Sequence, residues 1–205
     1  MSDGAAVDNG TVFIGTDHGH FYALDAATGK LRWQETSYAK FGSREYFYAT
    51  PTVAYGRVYA PNTDGYVYAF GEQTGDLRFA QHIGSYVYSG VAVSNKTLYV
   101  GTYSGQLVAM DAATGAVKWS FDAPSAVHGA PTIVAGVAYF STVAGEHPGA
   151  ARPIKVGAGV TIGVDIATHK AVWNYPEGRY VPIIADQKHL YFVGFRHLSA
   201  LVPKR

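Results

Sequence analysis

The sequence predicts an all-β fold built from four-stranded antiparallel units repeated along the chain. Three observations predict it. The 24 Gly and 16 Tyr of the 205 residues favour short strands joined by tight turns. The stretch Gly19–Trp33 recurs as Gly105–Trp119, with weaker copies at Gly65–Phe79 and Gly159–Trp173. All 3 Trp of the chain fall at one repeat position, and Phe79 fills the fourth.

Each unit is read as strands A, B, C and D in chain order. Strand A is read at 4–8, Ala49–Ala54, Ser89–Val93, Gly129–Val134 and Val181–Ile184. Strand B follows at Thr11–Gly15, Arg57–Ala60, Thr97–Gly101, Val137–Phe140 and Leu190–Gly194. The A–B joints Asp8-Asn9-Gly10, Tyr55-Gly56, Asn95-Lys96 and Gly136 are hairpin signals. Strands C and D occupy the recurring stretch. Their joint, Ala26-Ala27-Thr28-Gly29 in the first copy, places Gly where a tight turn needs positive φ. A fifth C strand is read at Leu198–Leu201.

Positions 33, 79, 119 and 173 lie 46, 40 and 54 residues apart, a spacing that fits β-propeller blades. The expectation is a single propeller domain over 1–205, with blades at about 1–36, 46–81, 86–122, 127–175 and 180–205. No segment has a helical period. Blade 1 opens at its A strand and blade 5 stops at its C strand, near Val202. The expectation is therefore a partial ring cut from a larger propeller. A five-bladed ring with a three-stranded last blade is the alternative.

Composition narrows the function. Apolar residues make up 48% and charged residues 15%, enough for a sizeable core. A net charge of +1 gives no electrostatic case for nucleic acid or an anionic membrane surface. Without Cys there is no disulfide scaffold, Cys-ligated zinc, Fe–S cluster or thiol catalysis. No apolar run reaches the roughly 18 residues of a membrane span. The first ten residues show no export signal, and compartment is not legible.

The pattern Ala-x-Asp-x-x-Thr-Gly-x-x-x-Trp resembles the docking motif of the PQQ-like β-propeller repeat family. Ala23, Asp25, Thr28, Gly29 and Trp33 match it, as do Ala109, Asp111, Thr114, Gly115 and Trp119. The second copy departs at Gly71 and Phe79, the fourth at Gly163 and His169. Such repeats occur in quinoprotein dehydrogenases and in the propeller lipoprotein of the outer-membrane β-barrel assembly machine. The resemblance implies a structural docking role for Asp25, Trp33, Phe79, Asp111, Trp119, Asp165 and Trp173, with the three Trp largely buried between blades. It also implies an extracytoplasmic place. The quinoprotein enzymes carry an adjacent Cys pair and a Glu/Asn/Asp metal cluster. This chain lacks the pair and shows no identifiable cluster, so no cofactor, no metal and no catalytic residue is expected. The expected function is a non-enzymatic binding or protein-assembly scaffold. A fragment of a PQQ-dependent dehydrogenase is the alternative.

A propeller has two loop faces. The A–B and C–D turns are minimal. The D–A and B–C connections carry functional groups: Arg44, Tyr46, Tyr48, His82, Tyr86, Tyr88, His128, Glu177, Arg179 and Tyr180, with Asn62, Asp64 and Tyr103. The longest insertion, about 143–158, adds Glu146, His147, Arg152 and Lys155. Tyr and Arg supply large contact area with a polar tip. The expected binding set is Arg44, Tyr46, Tyr48, Tyr86, Tyr88, Tyr103, Arg179 and Tyr180, facing a protein or small ligand. The competing reading is that these Tyr merely flank strands and pack between blades. His18 and His20 share one strand face, but no third ligand accompanies them. The open blade ends are expected to favour association.

Overall fold

The structure, a computed structural model, describes residues 4–37, 45–143, 159–179, 181–186, 188–193 and 197–202. Blade 1 consists of β1 (Ala6–Asp8), β2 (Thr11–Gly15), β3 (His20–Asp25) and β4 (Leu31–Thr36). Blade 2 consists of β5 (Thr52–Ala54), β6 (Arg57–Pro61), β7 (Tyr66–Gly71) and β8 (Leu77–His82). Blade 3 consists of β9 (Val91–Ser94), β10 (Thr97–Gly101), β11 (Gln106–Asp111) and β12 (Val117–Asp122). Blade 4 consists of β13 (Thr132–Val134), β14 (Val137–Ser141), β15 (Thr161–Asp165) and β16 (Ala171–Tyr175). Blade 5 has three strands, β17 (Ile184–Ala185), β18 (Leu190–Val193) and β19 (Leu198–Leu201). All pairings are antiparallel and sequential. Among the described residues there is no helix, and none long and apolar enough to cross a membrane.

The first strands β1, β5, β9, β13 and β17 touch in that order and form the inner wall of an open arc. This is the partial propeller the repeats predict. Four A–B hairpins have two-residue loops: Asn9-Gly10, Tyr55-Gly56, Asn95-Lys96 and Ala135-Gly136. All eight of these residues have positive φ, the turn whose twist matches the strands it joins.

Blades stack face to face, so strands of the middle blades bury both faces. In β7, Tyr68 and Phe70 pack with Phe13, Phe21 and Trp33 of blade 1. The alternate residues Val67 and Ala69 pack with Leu98, Val100 and Met110 of blade 3. The period of two therefore divides one strand between two cores. A third core joins Tyr99 and Leu107 of blade 3 to Phe140 and Val164 of blade 4.

The docking motif has a local mechanism. Ala23, Ala69, Ala109 and Gly163 sit opposite Trp33, Phe79, Trp119 and Trp173, and small residues leave room for the rings. A register shift follows at each of these pairs. The extra residue is basic in three blades and folds back over the turn. Arg32 reaches Asp25 at 2.7 Å, Lys118 reaches Asp111 at 3.2 Å, and Arg78 reaches Asp76 at 3.2 Å. Asp25 also accepts from the Ala27 and Thr28 amides, at 3.2 and 2.8 Å, and Asp111 and Asp165 repeat this bonding. Blade 2 has Gly71 instead of Asp. There Asp76 supplies the carboxylate and accepts the Thr74 hydroxyl.

These bonds favour the ionised carboxylates. The Arg32 guanidinium and the Thr28 hydroxyl hold Asp25 well below the usual range. Lys118 and the Ala113 amide lower Asp111 to about 2, and the Thr168 amide lowers Asp165. A depressed carboxylate contributes stability that is complete above its unfolded value, about 3.9. That stability is lost as pH falls through the folded value. The urea midpoint should therefore fall steadily between about pH 4 and pH 2. A flat midpoint over that window would contradict this account.

Candidate functional site

The chain entering each blade crosses the loop-rich face before its first strand. Three of these crossings are pinned by the B–C turn of their own blade. The Thr63 amide donates to the Tyr46 carbonyl at 2.9 Å, Tyr103 to Tyr86 at 2.9 Å, and Val143 to Ala126 at 2.9 Å. Tyr46 donates back to the Thr63 hydroxyl at 2.8 Å. Residues 46, 86 and 126 are repeat equivalents, 40 apart, so one backbone device fixes all three crossings.

Two residues further on, the same register brings Tyr48, Tyr88 and His128 together. Tyr48 meets Tyr88 edge-on at 5.1 Å, and the His128 ring stacks on Tyr88 at 5.0 Å and 5°. Tyr103 adds an edge contact to Tyr88 at 5.3 Å, and Tyr86 lies 6.0 Å from it. Tyr48, Tyr88 and His128 border a cavity of about 450 Å³ at the inner end of the crossings. Its walls include Tyr48, Thr50, Thr52, Tyr88, His128 and Val181. Blade-to-blade bonds hold the floor: Thr52 donates to the Val91 carbonyl at 2.8 Å, and Ser89 to Gly129 at 3.2 Å.

The cluster is aromatic, and the cavity walls carry no carboxylate, Lys or Arg. Burial raises the Tyr103 hydroxyl above its ordinary value, so it stays a neutral donor at physiological pH. Ring faces edged with hydroxyls suit apolar, aromatic or proline side chains and peptide backbone. The quinone that gives this repeat family its label is a tricarboxylate, and such an anion needs cationic side chains around it. The described walls carry no Lys or Arg, so the residues present do not fit it.

The structure thus brings Tyr48, Tyr86, Tyr88 and Tyr103 into one cluster and sets the Tyr46 backbone beside it. Arg179 is half-buried and does not line the cavity. Arg44 and Tyr180, and the insertion residues Glu146, His147, Arg152 and Lys155, lie outside the described residues. Asn62 is fully buried, and Asp64 accepts from the Tyr68 hydroxyl at 2.6 Å, so both act within the blade. His128 belongs to the cluster but not to the expected set. Its register, 40 residues after Tyr88, was the available signal. Among the described residues no group of three His, Asp or Glu is placed to hold a metal ion.

At the docking positions, Trp33 is 9% exposed and donates its Nε1 proton to the Glu72 carbonyl at 3.0 Å. Trp119 and Trp173 are half-buried, less closed in than Trp33. Trp33 is covered by Phe21 and Phe70 at 6.0 and 6.1 Å. Trp119 stacks instead on the partly open imidazole of His169, at 4.6 Å.

The sequence profile of the family described as outer membrane protein assembly factor BamB matches residues 1–85 and 63–186. A protein of that name from Moranella endobia is 30% identical over 115 residues, covering 54% of this chain and 29% of that protein. One from Shewanella oneidensis is 30% identical over 110 residues, covering 47% and 28%. The match thus spans less than a third of these relatives' length. The crystal structure of BamB from Moraxella catarrhalis superposes with a TM-score of 0.74 at 18% identity, over 97% of this chain and 57% of that one. Quinohemoprotein alcohol dehydrogenase from Comamonas testosteroni gives 0.76 at 16% identity, over 97% and 40%. At such identities the two structures establish the shared fold alone.

Proposed function

The chain belongs to the family described as outer membrane protein assembly factor BamB, and from that premise we propose that it is a non-enzymatic binding scaffold. In this reading it works outside the cytoplasm, in outer-membrane protein assembly, and holds a protein partner on its loop-rich face. The observation that carries the reading is the aromatic cluster in which Tyr48, Tyr88 and His128 line the cavity and Tyr103 packs against Tyr88. It is assembled from three blades by one repeated backbone device, which makes it a rigid platform. Rigid aromatic surfaces lose little side-chain entropy on binding, and Tyr is enriched at binding hot spots. An apolar or proline-bearing loop of a protein is the occupant the cluster suits.

A photo-crosslinking residue in place of Tyr86, at the rim of the cluster, tests this in the host cell envelope. The expected adduct contains an outer-membrane assembly component. Tyr88→Ala should weaken that adduct at least tenfold. The urea-derived stability should move by less than about 1.5 kcal/mol, because the ring is half-buried. Tyr88→Ala that mainly destabilises would reduce the cluster to blade packing. Quinone- and calcium-dependent dye reduction with a primary alcohol would favour the dehydrogenase reading instead.

A further inference from the structure

The aromatic cluster is selective about how it can hold a polypeptide. The crossings that carry it have their main-chain groups engaged. The amides of Thr63, Phe47, Tyr103, Val127 and Val143 donate to the carbonyls of Tyr46, Thr16, Tyr86, Thr102 and Ala126, at 2.9 to 3.2 Å. The Ser89 and Thr52 hydroxyls occupy the Gly129 and Val91 carbonyls. Among the described residues these crossings offer no continuous ladder edge on which an extended segment could pair. The cavity walls hold no carboxylate, Lys or Arg to select a charged motif. An amphipathic helix spreads its anchors over about 10 Å. Here the rings form one patch, with neighbouring centroids 5.0 to 6.4 Å apart.

What the patch does offer is ring geometry and a hydroxyl donor. Tyr48 stands at 90° to Tyr88 and 86° to His128, while Tyr88 and His128 are parallel within 5°. One upright ring against a flat pair makes an aromatic corner beside a cavity of about 450 Å³. The wall beyond it is shallow, with Ala49, Gly90, Gly129 and Ala130. Tyr48 is half-buried, and among the described residues its hydroxyl has no hydrogen-bond partner.

Resting on the scaffold reading above, we propose that this corner is a docking pocket for a proline-rich segment of the partner protein, held as a polyproline II helix. Such a helix has no internal hydrogen bonds and a solvated backbone, so it needs no ladder. One donor for a carbonyl is enough, and the Tyr48 hydroxyl supplies it. The flat pyrrolidine rings fit the corner between Tyr48 and Tyr88. Three residues per turn bring a second Pro to the same side about 9 Å further on. The segment is already fixed in conformation, so little entropy is lost on docking. It comes from another kind of chain. None of the 9 Pro of this one is adjacent to or three residues from another, so these 205 residues hold no such segment.

The probe is a fluorescein-labelled peptide of sequence APPLPPLPPA, titrated with the full chain and read by anisotropy. Its control has Ala in place of every Pro. The expected result is saturable one-to-one binding, at least tenfold tighter than the control. Tyr48→Phe removes the hydroxyl and should weaken binding about three- to tenfold, the loss of one hydrogen bond. It keeps the ring packing, so misfolding cannot mimic it. Tyr88→Ala should weaken binding at least tenfold. Equal binding of the two peptides would make a plain apolar loop the occupant and overturn the proposal, with the scaffold reading intact. No binding at millimolar peptide also overturns it, and the crosslink through position 86 reports separately whether the face holds a partner. Binding that neither variant alters places the peptide elsewhere and overturns it. Self-association that Tyr88→Ala abolishes, with no peptide bound, would make a second copy the occupant and overturn it as well.

Discussion

Trp33→Ala is expected to lower the unfolding free energy by about 3–5 kcal/mol, the range for removing a large buried aromatic. Trp173→Ala is expected to cost roughly 1–2 kcal/mol, nearer the middle of ordinary substitutions. The sequence treats the two positions as equivalent, and the structure does not. Trp33 is closed in by Phe13, Phe21 and Phe70, with centroids 5.8, 6.0 and 6.1 Å away. Removing it opens a void shared by two blades and strips the Glu72 carbonyl of its donor. Trp173 keeps one side open to the cavity beside blade 5. Urea unfolding followed by circular dichroism measures both. Equal losses would mean that enclosure of the ring contributes nothing to docking.

Gly75→Ala is expected to cost about 2–5 kcal/mol, against about 1–2 kcal/mol for Gly29→Ala. Both glycines close the same turn with nearly the same φ, +75° and +70°. The backbone strain of placing an L side chain there is therefore common to both. The surroundings differ. The new methyl at 75 would meet the Trp33 ring at 2.8 Å, whereas nothing lies within 4 Å of it at 29. The difference isolates the overpacking of a blade interface, about 1–3 kcal/mol. In a Trp33→Ala background the cost at 75 should shrink to that at 29, because the two sites share one contact. A cost at 75 that ignores Trp33 would place the penalty in the turn itself.

The blades were legible because their signals are local. Alternating apolar runs, two-residue hairpins and the Asp/Thr/Gly turn each act over a few residues, and repetition multiplied them. The compensation in blade 2 was legible only in part. Gly71 reads as a loss, and Asp76 taking over the carboxylate role is visible once the turn is folded. The basic bulge residues Arg32, Arg78 and Lys118 were present in the repeat but had no assigned task. A one-residue shift in register is a property of two paired strands, not of either one.

By itself the sequence determined the all-β class, the number and order of the blades and the position of the docking aromatics. Those follow from backbone preferences and side-chain period, which every repeat expresses on its own. The tertiary structure alone decided which aromatics are buried, that His128 joins Tyr48 and Tyr88, and that Trp173 is less closed in than Trp33. The physical reason is that burial and ring stacking belong to pairs of blades. Residues 40 apart in the chain meet only when neighbouring sheets stack, and what covers a ring depends on the next blade as much as on its own.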